Sequence, residues 1–242
     1  MPEDQKHYAT YNDVHNLCKE SAKELNQWGI NLIIAIGGGG YIPARILRSF
    51  MKKDDGSNIP IQAIGLSLYE RSAEDSVEEV PGTEVKRLQW LDVDSSMANL
   101  IGKNVLIVDE VDDTRTTLKY AVEELKKDVK VAKKQLPPGR SLNGKEKTNE
   151  ETKFHVFVLH NKKKEKKGEL PDKMDKDPKR YHAAVTTGDV WICYPWEAED
   201  IEKHDELAKE SPIVAIPAAE TESITKESST TTVQEEPSPK VV

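Results

Sequence analysis

Along this chain, short apolar runs alternate with stretches in which apolar residues recur every three or four positions. In residues 13–28, DVHNLCKESAKELNQW, the residues Val14, Leu17, Cys18, Leu25 and Trp28 share one helical face. Thr10 followed by Asp13 resembles a capping box with Asp in place of Glu, and Gly29 suits the helix end. LIIAI (32–36) reads as a buried strand, and IPARILRSFMKK as a helix with Pro43 near its first turn. IPIQAIGLSLY (59–69) and NVLIV (104–108) read as strands. Leu118, Ala121, Val122 and Leu125 have the spacing of a helix. HVFVLH (155–160) is another strand, and residues 180–197 predict two short strands or turns. This alternation predicts an α/β fold with an open, mostly parallel twisted sheet flanked by helices.

Three segments break the pattern. The acidic stretch at 70–88, with Pro81-Gly82, reads as a mobile excursion or hairpin. The lysine-rich stretch at 126–153, broken by Pro137-Pro138-Gly139, reads as an insertion with little core. From Ser211 to Val242 large apolar residues are too few to offset the entropy of ordering, which predicts a disordered acidic, Ser/Thr-rich tail. With 242 residues, 36% hydrophobic and 32% charged, the chain suits one α/β domain over residues 1–210.

A net charge of −8 argues against a nucleic-acid partner. No apolar run has membrane-spanning length, and MPEDQKHYAT lacks the features of a signal peptide. Two cysteines, Cys18 and Cys193, make no disulfide framework and suit a reducing, cytoplasmic setting. The six histidines show no HExxH spacing, so zinc chemistry is not expected.

The candidate chemistry begins at VLIVDEVDDTRTTL (105–118), where Asp109, Glu110, Asp112 and Asp113 crowd together before a helix. In an open parallel sheet, loops at the carboxyl ends of strands form the ligand crevice. Thr114, Arg115, Thr116 and Thr117 lie where open backbone N–H groups and the helix dipole attract an anion, and their side chains add donors. This describes a phosphate monoester site; the triphosphate motif GxxxxGK[ST] is absent. Asp109 and Glu110, adjacent in a partly dry cleft, repel by roughly 2–4 kcal/mol. A sugar diol, or Mg²⁺ carried on a phosphorylated substrate, would relieve that repulsion. A solvated acidic turn with ordinary threonine caps is the alternative.

IGGGGYIPAR places Gly37, Gly38, Gly39 and Gly40 between a strand and a helix. It is not a dinucleotide fingerprint, because Ile42 stands where the third glycine belongs. The run suits either an anion nest that fits a pyrophosphate or a tight turn requiring positive φ.

GKNVLIVDEVDDTRTTL resembles the phosphoribosyl-diphosphate signature of the purine phosphoribosyltransferases. IAIGGGGYIPARILRSF, NIPIQAIGLSLYE and CYPWEAEDIE extend the resemblance to the fungal hypoxanthine-guanine and xanthine enzymes over roughly residues 8–210. The resemblance implies a type I phosphoribosyltransferase-like fold with a small hood, Mg²⁺ as cofactor, and a homodimer. It implies transfer of a phosphoribosyl group from 5-phosphoribosyl 1-diphosphate to N9 of hypoxanthine or guanine, with xanthine as the alternative base. By motif position, Asp109 and Glu110 would hold the ribose hydroxyls and help position the metal, and Asp113 would act as acid/base at the purine N7. Thr114 to Thr117 would cradle the 5′-phosphate, and Gly37 to Gly40 the leaving pyrophosphate. Lys162 would meet the purine O6, and Trp191 and Ile192 would sandwich the base. Tyr69 resembles a lid tip, with Leu68 in the place of its serine. Two further departures are Gly38, where many relatives carry a basic residue, and Arg115, where glycine is common. Arg115 could clamp the phosphate or point to water.

Two other classes fit less of the sequence. An aspartyl phosphatase would need an acid where Val111 stands. A non-catalytic sensor of the sugar diphosphate would need a nucleic-acid surface, for which only the basic segments 126–134 and 162–167 are available.

Overall fold

The computed structural model of this protein describes residues 6–69, 84–91, 100–135 and 151–216, and at its first helix the local signals read from the sequence mark the element's ends. Strand β1 (Lys6–Tyr8) leads into helix α1 (Tyr11–Leu25). The Thr10 side chain accepts from the Asp13 N–H, and the Asp13 carboxylate accepts from the Thr10 N–H at 2.9 Å, a complete capping box. A 3₁₀ turn (Asn26–Trp28) ends at Gly29 with φ 62°, a left-handed conformation that favours glycine. Strand β2 (Leu32–Gly37), helix α2 (Tyr41–Phe50), strands β3 (Ile61–Tyr69), β4 (Glu84–Gln89) and β5 (Asn104–Asp112), and helix α3 (Thr116–Gln135) follow. Then come β6 (Lys153–Lys162), β7 (Tyr181–Thr187), β8 (Trp191–Cys193) and α4 (Ile201–Glu210).

Six strands form one sheet in the order β4-β3-β2-β5-β6-β7, parallel except for β4, which runs antiparallel to β3. Alternate residues of the central strands enter two cores. Ile34, Ile36, Val105, Ile107 and Val156 pack with Leu118, Val122 and Leu125 of α3. Ile33, Ala35, Leu106, Val108 and Phe157 pack with Val14, Cys18 and Leu25 of α1 and Leu47 of α2. The hood is small: β1 pairs in parallel with β8, and the Tyr8 N–H donates to Ser211 O at 3.1 Å.

Several boundaries differ from the sequence expectation. Strand β5 does not stop at Val108 but carries the acid cluster into the ladder, pairing Asp109 with Val158 and Asp112 with Asn161. Helix α3 continues to Gln135 with Val129 and Ala132 in the core, so the lysine-rich stretch begins as helix. The expected excursion at 70–88 contributes β4 as the returning arm of a hairpin with β3; residues 70–83 of that segment lie outside the described residues. So do residues 136–150 of the lysine-rich stretch and 217–242 of the tail. Residues 211–216 are tied down, the Ile216 N–H donating to Thr186 O at 2.7 Å. Among the described residues no helix is long and apolar enough to cross a membrane.

Strand β2 has β3 on one side and β5 on the other, so the sheet changes winding direction between β2 and β5. In open α/β sheets the crevice lies at the carboxyl ends of the strands flanking that reversal. Gly40, at the start of α2, keeps the crevice closed at its base. A Cβ there would lie 2.3 Å from Val108 O and 2.6 Å from Ile36 O, both backbone atoms. Gly40→Ala should therefore lower unfolding stability by about 1–3 kcal/mol, read as a lower midpoint in urea denaturation.

Candidate functional site

The turn after β2 and the turn after β5 face each other and line a cavity of about 300 Å³. Gly37, Gly38 and Gly39 form one wall; Asp109, Glu110 and Asp113 to Thr117 form the other. Larger depressions of about 810 and 460 Å³ lie beside Trp28 and His182 and beside Phe154 and Arg180, and neither receives these loops. The four glycines do not take left-handed φ values; among the described glycines only Gly29, Gly56 and Gly102 do. Close approach is what requires Gly37, Gly39 and Gly40, whereas a Cβ on Gly38 would meet nothing within 4 Å. A Cβ on Gly39 would sit 1.9 Å from the Glu110 carboxylate, and one on Gly37 would sit 2.2 Å from the Tyr41 hydroxyl.

Asp109 is 7% exposed, and one of its carboxylate oxygens accepts from the Glu110 N–H at 3.0 Å. Burial, and then the neighbouring Glu110 carboxylate, push its pKa well above the usual 3.8. Glu110 Oε2 is buried with no hydrogen-bond partner. A buried carboxylate oxygen without a donor, beside a second buried carboxylate, is suited to a hard divalent cation or to sugar hydroxyls. Among the described residues no group of three or more His, Cys, Asp or Glu side chains could cage a metal. An ion here would need further oxygen ligands from its substrate, which suits Mg²⁺ held by one or two carboxylates and a phosphate.

The anion side of the cavity is built by turning carbonyls away from it. The Lys166 ammonium donates to the carbonyls of Asp112 (2.7 Å), Asp113 (2.8 Å) and Lys162 (2.8 Å). The N–H groups of Lys167 and Gly168 donate to Thr114 O, and the Lys119 N–H donates to Arg115 O. In a trans peptide the N–H points opposite to the carbonyl. Four consecutive outward carbonyls thus leave the N–H groups of residues 113–116 on the opposite side, beside the open first turn of α3. The Thr114 and Thr116 hydroxyls are 3.0 Å apart at the same place.

Asp113 lies at the junction with β6. Its carboxylate is 3.1 Å from the Lys164 ammonium and 3.6 Å from that of Lys162, and Lys164 also reaches Asp189 at 2.9 Å. Three lysines of the basic segment 162–167 are therefore committed to this loop. The structure brings Lys162 to Asp113 but does not bring Trp191 or Ile192 into the cavity. Trp191 is 56% exposed, and Ile192 is a core residue on the α1–α2 face. For Tyr69 only the backbone is described, paired with Glu84 in the β3–β4 ladder. Arg115 does not offer its side chain to the cavity. Its guanidinium turns into an ion pair with Asp112 (2.9 Å) and Asp175 (2.9 Å), because Asp112 is wholly buried and requires a counter-charge.

Two residues without a local sequence signal complete the site. Tyr194 donates its hydroxyl proton to Glu110 O at 3.1 Å and accepts from His160 Nδ1 at 2.9 Å. Burial holds the His160 pKa down at about 4, so the imidazole is neutral at pH 7; with the Tyr194 proton committed to Glu110 O, it is Nδ1 that donates to the Tyr194 oxygen. This chain fixes the backbone at Glu110 from behind. The CYPWE stretch carried the hint, but only as part of a resemblance.

A family model for the phosphoribosyl transferase domain matches residues 5–189. The Schizosaccharomyces pombe hypoxanthine-guanine phosphoribosyltransferase is 55% identical over 200 residues, covering 82% of this chain and 92% of that protein. The Saccharomyces cerevisiae xanthine phosphoribosyltransferase 1 is 51% identical over 214 residues, covering 86% and 98%. A Neisseria gonorrhoeae protein crystallised with bound ppGpp is 37% identical with a TM-score of 0.63, over 87% of this chain and 99% of that one.

The raised Asp109 pKa has a sign that can be measured. An acid whose native pKa lies above its unfolded value stabilises the fold below the ordinary carboxylate range and loses that contribution as pH rises through the raised value. Asp109→Asn should therefore raise the ligand-free melting temperature, relative to wild type, more at pH 7 than at pH 4. Paired thermal melts at the two pH values check this.

Proposed function

Because this chain belongs to the phosphoribosyltransferase family, we propose that it is a purine salvage enzyme, reading residues 1–210 as one domain of that family. It transfers the phosphoribosyl group of 5-phosphoribosyl 1-diphosphate to hypoxanthine or guanine and releases pyrophosphate. One observation carries this reading. A glycine turn and an acid-to-threonine turn face each other across the sheet reversal, with the Glu110 carboxylate against Gly39. The spacing suits a ligand with a phosphate at each end and a diol between.

In this reading the N–H groups at 113–116 and the hydroxyls of Thr114, Thr116 and Thr117 seat the 5′-phosphate. Asp109 and Glu110 take the ribose hydroxyls, and Gly37 to Gly39 turn backbone toward the diphosphate, while Gly40, whose N–H donates to Ile36 O, closes the turn behind them. Arg115 meets the phosphate through its backbone alone. Mg²⁺, bound with the donor, would supply positive charge beside the leaving oxygens. Purine N9 forms the new bond to the anomeric carbon as the bond from that carbon to the diphosphate oxygen breaks. The proton on purine N7 passes to the Asp113 carboxylate, which Lys162 and Lys164 hold in place. Holding both substrates in register lowers the barrier by on the order of 7–11 kcal/mol, and donors at the leaving group add to this.

Xanthine is the second reading for the base, supported by the 51% identity to a xanthine phosphoribosyltransferase. For Lys162 the proposal keeps a place near the purine O6, since Asp113 brings it there. Trp191 would reach a base from the exposed side of the hood, while Ile192 supports β8 from the core. A cytoplasmic homodimer completes the proposal; free Cys18 and Cys193 agree with a reducing compartment.

Pyrophosphate release from 5-phosphoribosyl 1-diphosphate with hypoxanthine, guanine and xanthine in turn, with and without Mg²⁺, tests the reading. Turnover with at least one purine, lost on chelation, is expected; no release with any of the three sinks it. Asp113→Asn should lower kcat by roughly 10²–10⁴-fold in the same assay, and near-normal turnover would remove the acid/base role.

A further inference from the structure

Arg115 has φ 67°, a conformation that side-chain-bearing residues rarely adopt. The chain maintains that backbone through the side chain. Arg115 Nε and Nη2 each lie 2.9 Å from Asp112 Oδ2, and Nη1 lies 2.9 Å from Asp175 Oδ2. The Tyr181 hydroxyl donates to the same Asp112 oxygen at 2.7 Å, and the guanidinium carbon lies 5.3 Å from the Tyr181 ring centroid. The arginine side chain is 9% exposed and that of Asp112 is fully buried. Its donors are committed behind the turn, with the cavity on the other side.

We propose that Arg115 is a positioning residue that, anchored by Asp112 and Asp175, holds the anion-binding turn in its receptive shape and so sets the affinity for the phosphorylated donor. The proposal rests on the functional reading above. Asp175 separates the two roles a charged residue could have here. It belongs to the 3₁₀ segment Pro171–Lys176, does not line the cavity, and pairs with Arg115 and with the exposed Lys176 at 3.4 Å, so Arg115 is its link to the turn. If Arg115 merely filled space, loosening Asp175 would lower stability without changing one substrate's affinity. If Arg115 positions the turn, the loss appears selectively in the donor.

The test compares Asp175→Asn, Asp175→Glu and Arg115→Gly with the wild-type full chain. Steady-state kinetics in both substrates is paired with thermal melts and with calorimetric binding of 5-phosphoribosyl 1-diphosphate. Asp175→Asn should raise the donor KM by about tenfold while the purine KM stays within about twofold and kcat within about threefold. Asp175→Glu, which keeps the charge, should recover most of that loss. Arg115→Gly tolerates the backbone conformation but has no anchor, so its donor KM should rise at least as far. Donor KM and affinity unchanged in Asp175→Asn and Arg115→Gly, with or without a lower melting temperature, would overturn the proposal; so would equal losses in both substrates. A wild type that binds the donor but makes no nucleotide would defeat the functional reading separately, and the calorimetric affinities would then decide the clamp.

Discussion

Backbone contact between two turns is the constraint on which the rest depends. Gly40 packs its Cα against the carbonyls of Ile36 and Val108, so the ends of β2 and β5 converge at the sheet reversal with no side chain between them. Only then can the Glu110 carboxylate rest against Gly39 and the glycine wall face the threonine wall. The convergence is a property of winding order as much as of sequence. Both strands run parallel, and both discharge their chains into the same crevice.

Around that contact the protein spends charge in two ways. In front, Glu110 Oε2 is left without a partner, and burial makes the ionisation of Asp109 unfavourable. A bound ligand can supply what the fold withholds. Behind, the charges are paired: Asp112 with Arg115, Tyr181 and, at 3.5 Å, Lys166; Arg115 with Asp175; and the Lys166 ammonium with three carbonyls. A rigid rear and an unsatisfied front amount to preorganisation, because little reorganisation is left for the moment of binding.

Much of the frame was legible in the sequence because its signals are local. The Thr10–Asp13 cap, the turn at Gly29, the buried runs of β2 and β5, and the Leu118–Leu125 periodicity need only neighbouring residues to act. What escaped depends on distant partners. β5 extends through Asp112 because β6 offers an equally long edge, which overrides the poor strand propensity of aspartate. The partners of the lysines at 162, 164 and 166 were hidden because these acceptors lie about fifty residues away. Arg115 beside threonines suggests a phosphate clamp until Asp175, sixty residues further on, is seen to claim it. The roles of His160 and Tyr194 were hidden for another reason: they act on a backbone carbonyl, which leaves no mark in the sequence.

The aromatic stack in the hood gives the molecule a built-in optical sensor. The Trp196 indole lies 4.7 Å from the Tyr194 ring and nearly parallel to it, and the Tyr194 hydroxyl is bonded to the main chain of Glu110. Any ligand that tugs on that carboxylate's backbone shifts a phenol already in contact with a fluorophore. Emission from this pair would then report occupancy of the crevice without a label.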